Sequence, residues 1–302
     1  MNKLNIIKYT KIWFLISLLV ILAGIVSIAT QGFNLGIDFT GGTIIEMKFR
    51  REVSLAEVRD ILRPYGLDNS TIQFSGDTQD MEAAPSVMIR SIDLEEEERK
   101  AVMASLRESL GDYDVLREEK VGATMGSELI MNALWALVLS WLSIVAYVSY
   151  RFEFRFGISS ILALVHDVLI VLSIFSITQR PVDSSFVAAL LTIVGFSIND
   201  TIVIFDRIRE NLKLHFRRGG DVVELVNRSI YQTLTRSIYT TLTVLFTTFA
   251  LFYFGGDTTK DFSFALLIGF FAGAYSSIFI ASPLWIVIRN WSENRRKAKR
   301  MA

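Results

Sequence analysis

SFVAALLTIVGFSINDTIVIFDRIR, residues 185–209, begins as an apolar helix long enough to cross a bilayer and ends in a basic cluster. Inside the apolar part Asn199 and Asp200 stand side by side. A carboxylate at bilayer depth costs about 2.5–3.5 kcal/mol even on the lenient insertion scale, so an intramembrane acid points to function. A second apolar stretch, residues 229–254, carries Arg236 near its start. That acid and that base are the centre of the reading.

Composition supports a membrane setting. The 302 residues are 51% hydrophobic, with a mean hydropathy of +0.41. That places the chain among polytopic membrane proteins. Net charge is zero but unevenly spread. Residues 31–125 hold 19 acids and 11 bases, and the remainder holds 12 acids and 20 bases. The chain has no cysteine, which excludes disulfide and thiol chemistry. Its two histidines, His166 and His215, sit in no metal-ligand spacing, and no glycine-rich phosphate loop is present. No metal and no cofactor is expected, and ATP is not the energy source this chain uses.

Six apolar runs are long enough to span: residues 12–30, 129–148, 156–178, 185–205, 229–254 and 262–288. A cleavable signal peptide competes for the first, because Ser27-Ile28-Ala29 resembles a small-x-small site. The run exceeds the 7–15 residues of a signal h-region and is read as a retained anchor. The sixth carries Gly269-x-x-x-Gly273, a close-packing signature, and Pro283, which predicts a kink. Lysines and arginines cluster at 3–11, 151–155, 207–228 and 289–300, all on one side of a six-span chain. By the positive-inside rule both termini are cytoplasmic and residues 31–128 lie outside. Four segments follow: 1–30, an inner N-terminus and first span; 31–128, an outer domain; 129–288, spans two to six; and 289–302, a basic inner tail. The polar stretch 207–228 reads as a basic amphipathic helix, a break at Gly219-Gly220, and a second helix capped by Asp221, lying along the headgroups.

The outer segment opens with GIDFTGG, residues 36–42. Gly36, Asp38, Gly41 and Gly42 predict a tight turn or hinge beside the first span. Residues 43–49 alternate like a strand. Ser54-x-x-Glu57 is a capping box for a helix ending near Pro64–Gly66. Residues 71–74 and 87–90 read as strands joined by a polar linker, 76–85. Asp93-x-x-Glu96 opens a second helix with Val102, Leu106 and Leu110 on its apolar stripe and Gly111 as its stop. Residues 112–121 are a last strand. The order β-α-β-β-α-β predicts a ferredoxin-like α+β domain. The acid run Glu95–Glu98 reads as a solvated first helical turn favoured by the macrodipole.

Within the membrane, Asp200 and Arg236 lie at matching depth, so a contact between neighbouring helices is possible. Arg236, Thr240, Thr243 and Thr247 have offsets of 4, 7 and 11 and share one helix face. Lipid leaves such hydroxyls no partner but their own helix, so the stripe is expected to face other helices or a water file. With Asn199 and Asp167 as supporting polar groups, these are the parts of a proton relay. Two readings stand: a proton path, or a static buried pair that fixes packing. His166-Asp167 either joins the relay or merely satisfies a neighbouring hydroxyl or amide.

GIDFTGG at 36–42, VHD at 165–167, VGFSINDTIVIFDRIREN at 194–211 and TLTRSIYTTLT at 233–243 together resemble the SecF family. That family supplies the smaller membrane subunit of the bacterial SecDF protein-export factor, within the RND superfamily. The resemblance runs over nearly the whole chain. It implies six spans in the bacterial inner membrane with a periplasmic domain between the first two. It implies an obligate SecD partner with a related six-span half, association with YajC and SecYEG, and an unfolded polypeptide in transit. The positions matching Asp200 and Arg236 are tied in that family to work driven by the proton gradient, without covalent catalysis. Two rival functions remain: a small-molecule or lipid exporter subunit of the RND type, and a structural assembly subunit that transduces nothing.

Overall fold

The computed structural model describes residues 5–67, 70–75, 86–92, 94–151, 153–215 and 220–301. The linker 76–85 and Asp93 lie outside them. In chain order the elements are α1 (Thr10–Gln31), the single turn α2 (Ile37–Thr40), β1 (Gly42–Phe49), α3 (Leu55–Leu62), β2 (Thr71–Ser75), β3 (Ser86–Ser91), α4 (Glu96–Leu110) and β4 (Tyr113–Val121). Then come α5 (Ala123–Arg151), α6 (Phe154–Thr178), α7 (Ser184–His215), α8 (Val222–Phe254), α9 (Asp257–Ser276), a π turn (Ser277–Ala281) and α10 (Ser282–Met301). Six helical stretches are long and apolar enough to cross a membrane, the last running through the π turn. The chain divides into two compact units, Leu35–Leu134 and the remainder.

In the smaller unit the strands pair in the order β2-β3-β1-β4, antiparallel throughout. This is the split βαβ arrangement that the element order predicts. Alternation along β1 sends Ile45, Met47 and Phe49 to one face, where they meet Val58 and Leu62 of α3 and Val102, Leu106 and Leu110 of α4. The opposite face carries Ile44 and Met88, covered by Ile37 from the GIDFTGG segment. Between Glu46 and Met47 the β1–β4 register shifts by one residue, a bulge that leaves Leu116 without a partner opposite it.

Caps are legible. Ser54 Oγ accepts from Glu57 N at 3.2 Å and Glu57 returns the bond to Ser54 N at 3.0 Å. These bonds hold the fully exposed Glu57 carboxyl below its usual range. The second box differs from expectation: Glu95 is the N-cap of α4, with Glu98 closing it. In a run of four acids the cap is whichever one the chain's entry angle places, and pattern alone does not choose it. GIDFTGG is a one-turn helix closed by Gly41 N–H on the Ile37 carbonyl at 2.8 Å. Gly41 and Gly42 have φ of 70° and 132°. A Cβ on Gly42 would strike the Ser91 carbonyl, so the pair serves both turn and close approach.

In the larger unit two pairs of helices run parallel through small residues. Ser17, Gly24 and Ser27 are the buried residues of α1. They meet His166, Ser173 and Ser176 of α6 in constant register. On α7, Ile193, Ser197 and Thr201 meet Gly269, Gly273 and Ser277 in the same way. The glycines are there for this approach: a Cβ on Gly273 would stand 2.9 Å from Ser197 Cβ. The irregularity expected at Pro283 falls one turn earlier, as the π turn. Proline has no N–H for the carbonyl four residues back and its ring crowds that carbonyl, so the preceding turn widens.

The stretch 207–228 departs from expectation in part. Its first helix is not separate, because α7 continues unbroken to His215, whereas the second helix does begin at Val222, capped by Asp221 on Val223 N, and Gly219 lies outside the described residues. Hydropathy marks where lipid ends and says nothing about where a helix stops.

Candidate functional site

Asp200 lies near the middle of α7 and is buried, 6% exposed. α8 packs beside it through a face made by Ser229, Thr233, Ser237 and Thr241, spaced by four. Ser237 Oγ donates to Asp200 Oδ1 at 2.6 Å. The other oxygen, Oδ2, is buried with no partner. A half-satisfied carboxyl group is costly to bury, so this acid is not a closed structural pair.

Arg236 is not the partner of Asp200. It is within electrostatic reach but forms no hydrogen bond or ion pair with it among the described residues. One residue is 100° of helix rotation, so with Ser237 facing α7 its neighbour turns outward. Arg236 is exposed and lines a cleft of about 440 Å³ with Asp206, Arg207, Glu210 and Gln232. This cleft lies toward the charged ends of α7 and α8. Those ends are tied by Asn211 Nδ2, which donates to Ser229 Oγ and Gln232 Oε1, both at 2.8 Å. Arg207 bonds Glu210 and Gln232.

The hydroxyl stripe follows Arg236 outward. Thr240, Thr243 and Thr247 are exposed, and each hydroxyl donates to carbonyls of its own helix. Among the described residues no other helix of this chain covers the stripe. Asn199 is likewise exposed and does not join Asp200.

Asp167 is fully buried and occupies a second polar cluster. Its Oδ1 lies 2.9 Å from His166 Nδ1, and its Oδ2 accepts from Ser197 Oγ at 2.6 Å and Ser276 Oγ at 2.8 Å. His166 Nε2 lies 2.8 Å from Ser17 Oγ. Thr201 and Ser277 hydroxyls bond at 2.8 Å beside it. The widened turn at 277–281 follows directly on Ser276, so adjacent serines serve Asp167 and Thr201. Sequence reasoning missed Ser17, Ser197, Ser237, Ser276 and Ser277. One signal was available: Ser17, Gly24 and Ser27 have offsets of 7 and 10, a small-residue face on an otherwise apolar helix.

These features define a multi-pass membrane protein with an inserted ferredoxin-like domain and a buried, half-partnered carboxyl group between two of its spans. Comparison with known proteins narrows the class. The family described as protein export membrane protein SecD/SecF, C-terminal, matches residues 101–291, and the SecD/SecF GG motif matches residues 26–53. The protein translocase subunit SecF of Acidaminococcus fermentans is 49% identical over 96% of this chain and 98% of its own. That of Sebaldella termitidis is 40% identical over 98% and 95%. The crystal structure of SecDF from Thermus thermophilus, titled a translocon-associated membrane protein, superposes with a TM-score of 0.85 at 36% identity. The match covers 96% of this chain and 39% of that one, so the chain spans about two fifths of the solved SecDF polypeptide. SecDF in a super-membrane-facing form gives 0.69 over 99% of this chain and 40% of its own. The chain belongs to the SecF family of protein translocase subunits.

Proposed function

We propose that this chain is the proton-handling subunit of a factor that uses the proton-motive force to assist protein translocation through the Sec channel. Its seat is the bacterial inner membrane, with both termini cytoplasmic and the ferredoxin-like domain on the far side, a reading that the basic flanks support. It works with a SecD half, which the solved SecDF chains carry in one polypeptide with a SecF-like part. YajC and SecYEG are further partners, and the cargo is an unfolded polypeptide.

The observation that carries this reading is the buried Asp200 with one oxygen bonded to Ser237 and the other bare. An apolar surrounding favours the neutral acid. Water or a guanidinium beside it favours the carboxylate. Arg236 stands on the neighbouring helix at the head of a polar cleft, where a released proton reaches water. A change in packing between α7 and α8 therefore alternates the two states of Asp200. Each charge carried across is worth about 2.3 kcal/mol per 100 mV. The reading needs no bond-making chemistry, and the GIDFTGG turn is its hinge toward the outer domain.

Asp200→Asn tests it. The amide keeps the size and accepts from Ser237 but holds no exchangeable acid. In vesicles carrying the SecD partner and the Sec channel, the variant is expected to assemble normally and to lose gradient-stimulated export. Full export from the variant rules the reading out.

A further inference from the structure

The cluster around His166 is separate from the Asp200–Ser237 pair, and the reading above leaves it unused. Asp167 faces three donors, so it fixes the adjacent ring with a hydrogen on Nδ1 and leaves Nε2 toward Ser17. With the ring neutral, the Ser17 hydroxyl donates to Nε2. With the ring protonated, Nε2–H donates to Ser17 Oγ, and the hydroxyl hydrogen turns to Tyr275 Oη, 3.5 Å away. Tyr275 meanwhile donates to the Trp13 carbonyl at 2.8 Å. Both protonation states therefore satisfy both ring nitrogens, and only one hydroxyl hydrogen turns between them. Asp200, with its bare Oδ2, has no such arrangement.

A second observation joins the clusters. Tyr275 lines a groove of about 250 Å³ between α8 and the α9–π-turn region. The same groove is lined by Ser237, which donates to Asp200, and by Thr241, which is 7% exposed and whose buried Oγ1 has no partner. Ser237, which bonds Asp200, and Tyr275, which bonds Ser17, thus line one groove whose other walls, Thr241 apart, are apolar. Among the described residues the titratable groups facing the ring are Asp167 on its own helix and Tyr275 on α9, whose ring stacks 6.1 Å away. From α1 comes Ser17. Ser197 of α7 bonds Asp167 rather than the ring. No titratable group of the π turn or α10 bonds to it.

We propose that His166 is a second proton-holding site, reached through the hydroxyls of Tyr275 and Ser17. A hydronium ion gives its proton to Tyr275 Oη, the phenol hydrogen passes to Ser17 Oγ, and the Ser17 hydrogen passes to Nε2, leaving water and an imidazolium beside Asp167. The place of this step in transport rests on the Asp200 reading; the protonation itself does not.

The chain has two histidines, so His215→Asn leaves His166 alone. The full-length variant, labelled with isotopic histidine and reconstituted in lipid vesicles, is read by solid-state NMR from about pH 5 to about pH 8. The expected result is a neutral ring with Nδ1–H at the alkaline end and an imidazolium at the acid end. The imidazolium is expected to be lost in Ser17→Ala and reduced severalfold in Tyr275→Phe. A ring in one protonation state throughout overturns the proposal, as does an imidazolium unchanged by both variants. In vesicles with partner and channel, His166→Gln and Ser17→Ala are expected to keep normal levels and lose gradient-stimulated export severalfold. Full export from both overturns the proposal. Failure of Asp200 as a switch would leave the NMR result unchanged, so the two readings fail separately.

Discussion

Ser237 Oγ donates to Asp200 Oδ1 at 2.6 Å, and among the described residues Oδ2 has no hydrogen-bond partner. One hydroxyl on α8 is therefore the direct tie between the buried acid and its neighbouring helix. Ser237→Ala removes it and leaves both oxygens bare. Loss of the sole partner of a buried polar group costs about 1–3 kcal/mol. We expect a lower membrane level and weaker gradient-stimulated export from Ser237→Ala, with both recovered in Ser237→Thr. Immunoblots of membranes and a vesicle export assay measure the two. A fully active Ser237→Ala would remove this bond from the mechanism.

Arg236 gives a contrasting expectation. In a closed buried ion pair, removing one member costs about 3–5 kcal/mol because the other charge is stranded, and removing both restores stability. Asp200 and Arg236 form no such pair, and Arg236 faces a polar cleft. Asp200→Asn and Arg236→Gln should each leave the membrane level near normal, and the double variant should show no rescue. Thermal unfolding of the three proteins in detergent reports the coupling directly. A stabilised double variant would mean that the ion pair forms and dominates.

How much of this was legible follows from what kind of force decides each feature. The six spans and the split βαβ domain are fixed by strong, local patterns: long apolar runs, alternation in β1, and the Ser54–Glu57 box. The choice between Arg236 and Ser237 is different. Charge drew attention to Arg236, but which of two adjacent residues meets α7 depends on how two helices rotate against each other. The serines at 17, 197, 237, 276 and 277 gave little signal because a serine in a span ordinarily bonds to its own backbone. Their role appears only where the helices pack together around Asp167 and Asp200. The continuity of α7 through to His215 is not legible in the same way, because polarity marks the end of lipid contact and not the end of a helix.

The ferredoxin-like domain should fold without the spans. Its core packs two capped helices on one sheet face, and a fragment covering residues 36–122 keeps all of it. We expect a cooperative melt, lowered by about 2–5 kcal/mol in Leu106→Ala, which truncates a fully buried side chain. The melt should depend on pH at both ends. Glu57 has a lowered folded-state pKa, so its contribution is present above the unfolded carboxylate range and is lost as pH falls through the folded value. Tyr113 is held above its usual range by burial, so stability is full below the unfolded phenol range and is lost as pH rises through it. Glu57→Gln should flatten the acid limb and Tyr113→Phe the alkaline limb. Circular dichroism melts across pH check both, and a non-cooperative fragment would contradict the independent core.

The outward hydroxyl stripe of α8 leads to the last expectation. Thr240, Thr243 and Thr247 spend their hydrogen bonds on their own helix and leave a polar face, headed by Arg236, that this chain does not cover. Lipid offers such a face nothing, whereas another helix or a file of water does. A SecD half is therefore expected to cover it. The chain has no cysteine, so single cysteines at these three positions are easily read. In the isolated subunit they should react with a lipid-soluble thiol reagent at the rate of a lipid-facing control, Phe246→Cys. In the co-purified complex they should be protected severalfold or form cross-links to the partner, while their helix and the Asp200–Ser237 bond remain in place. Equal labelling at all three positions with and without the partner would turn the stripe toward lipid and place the partner on another face.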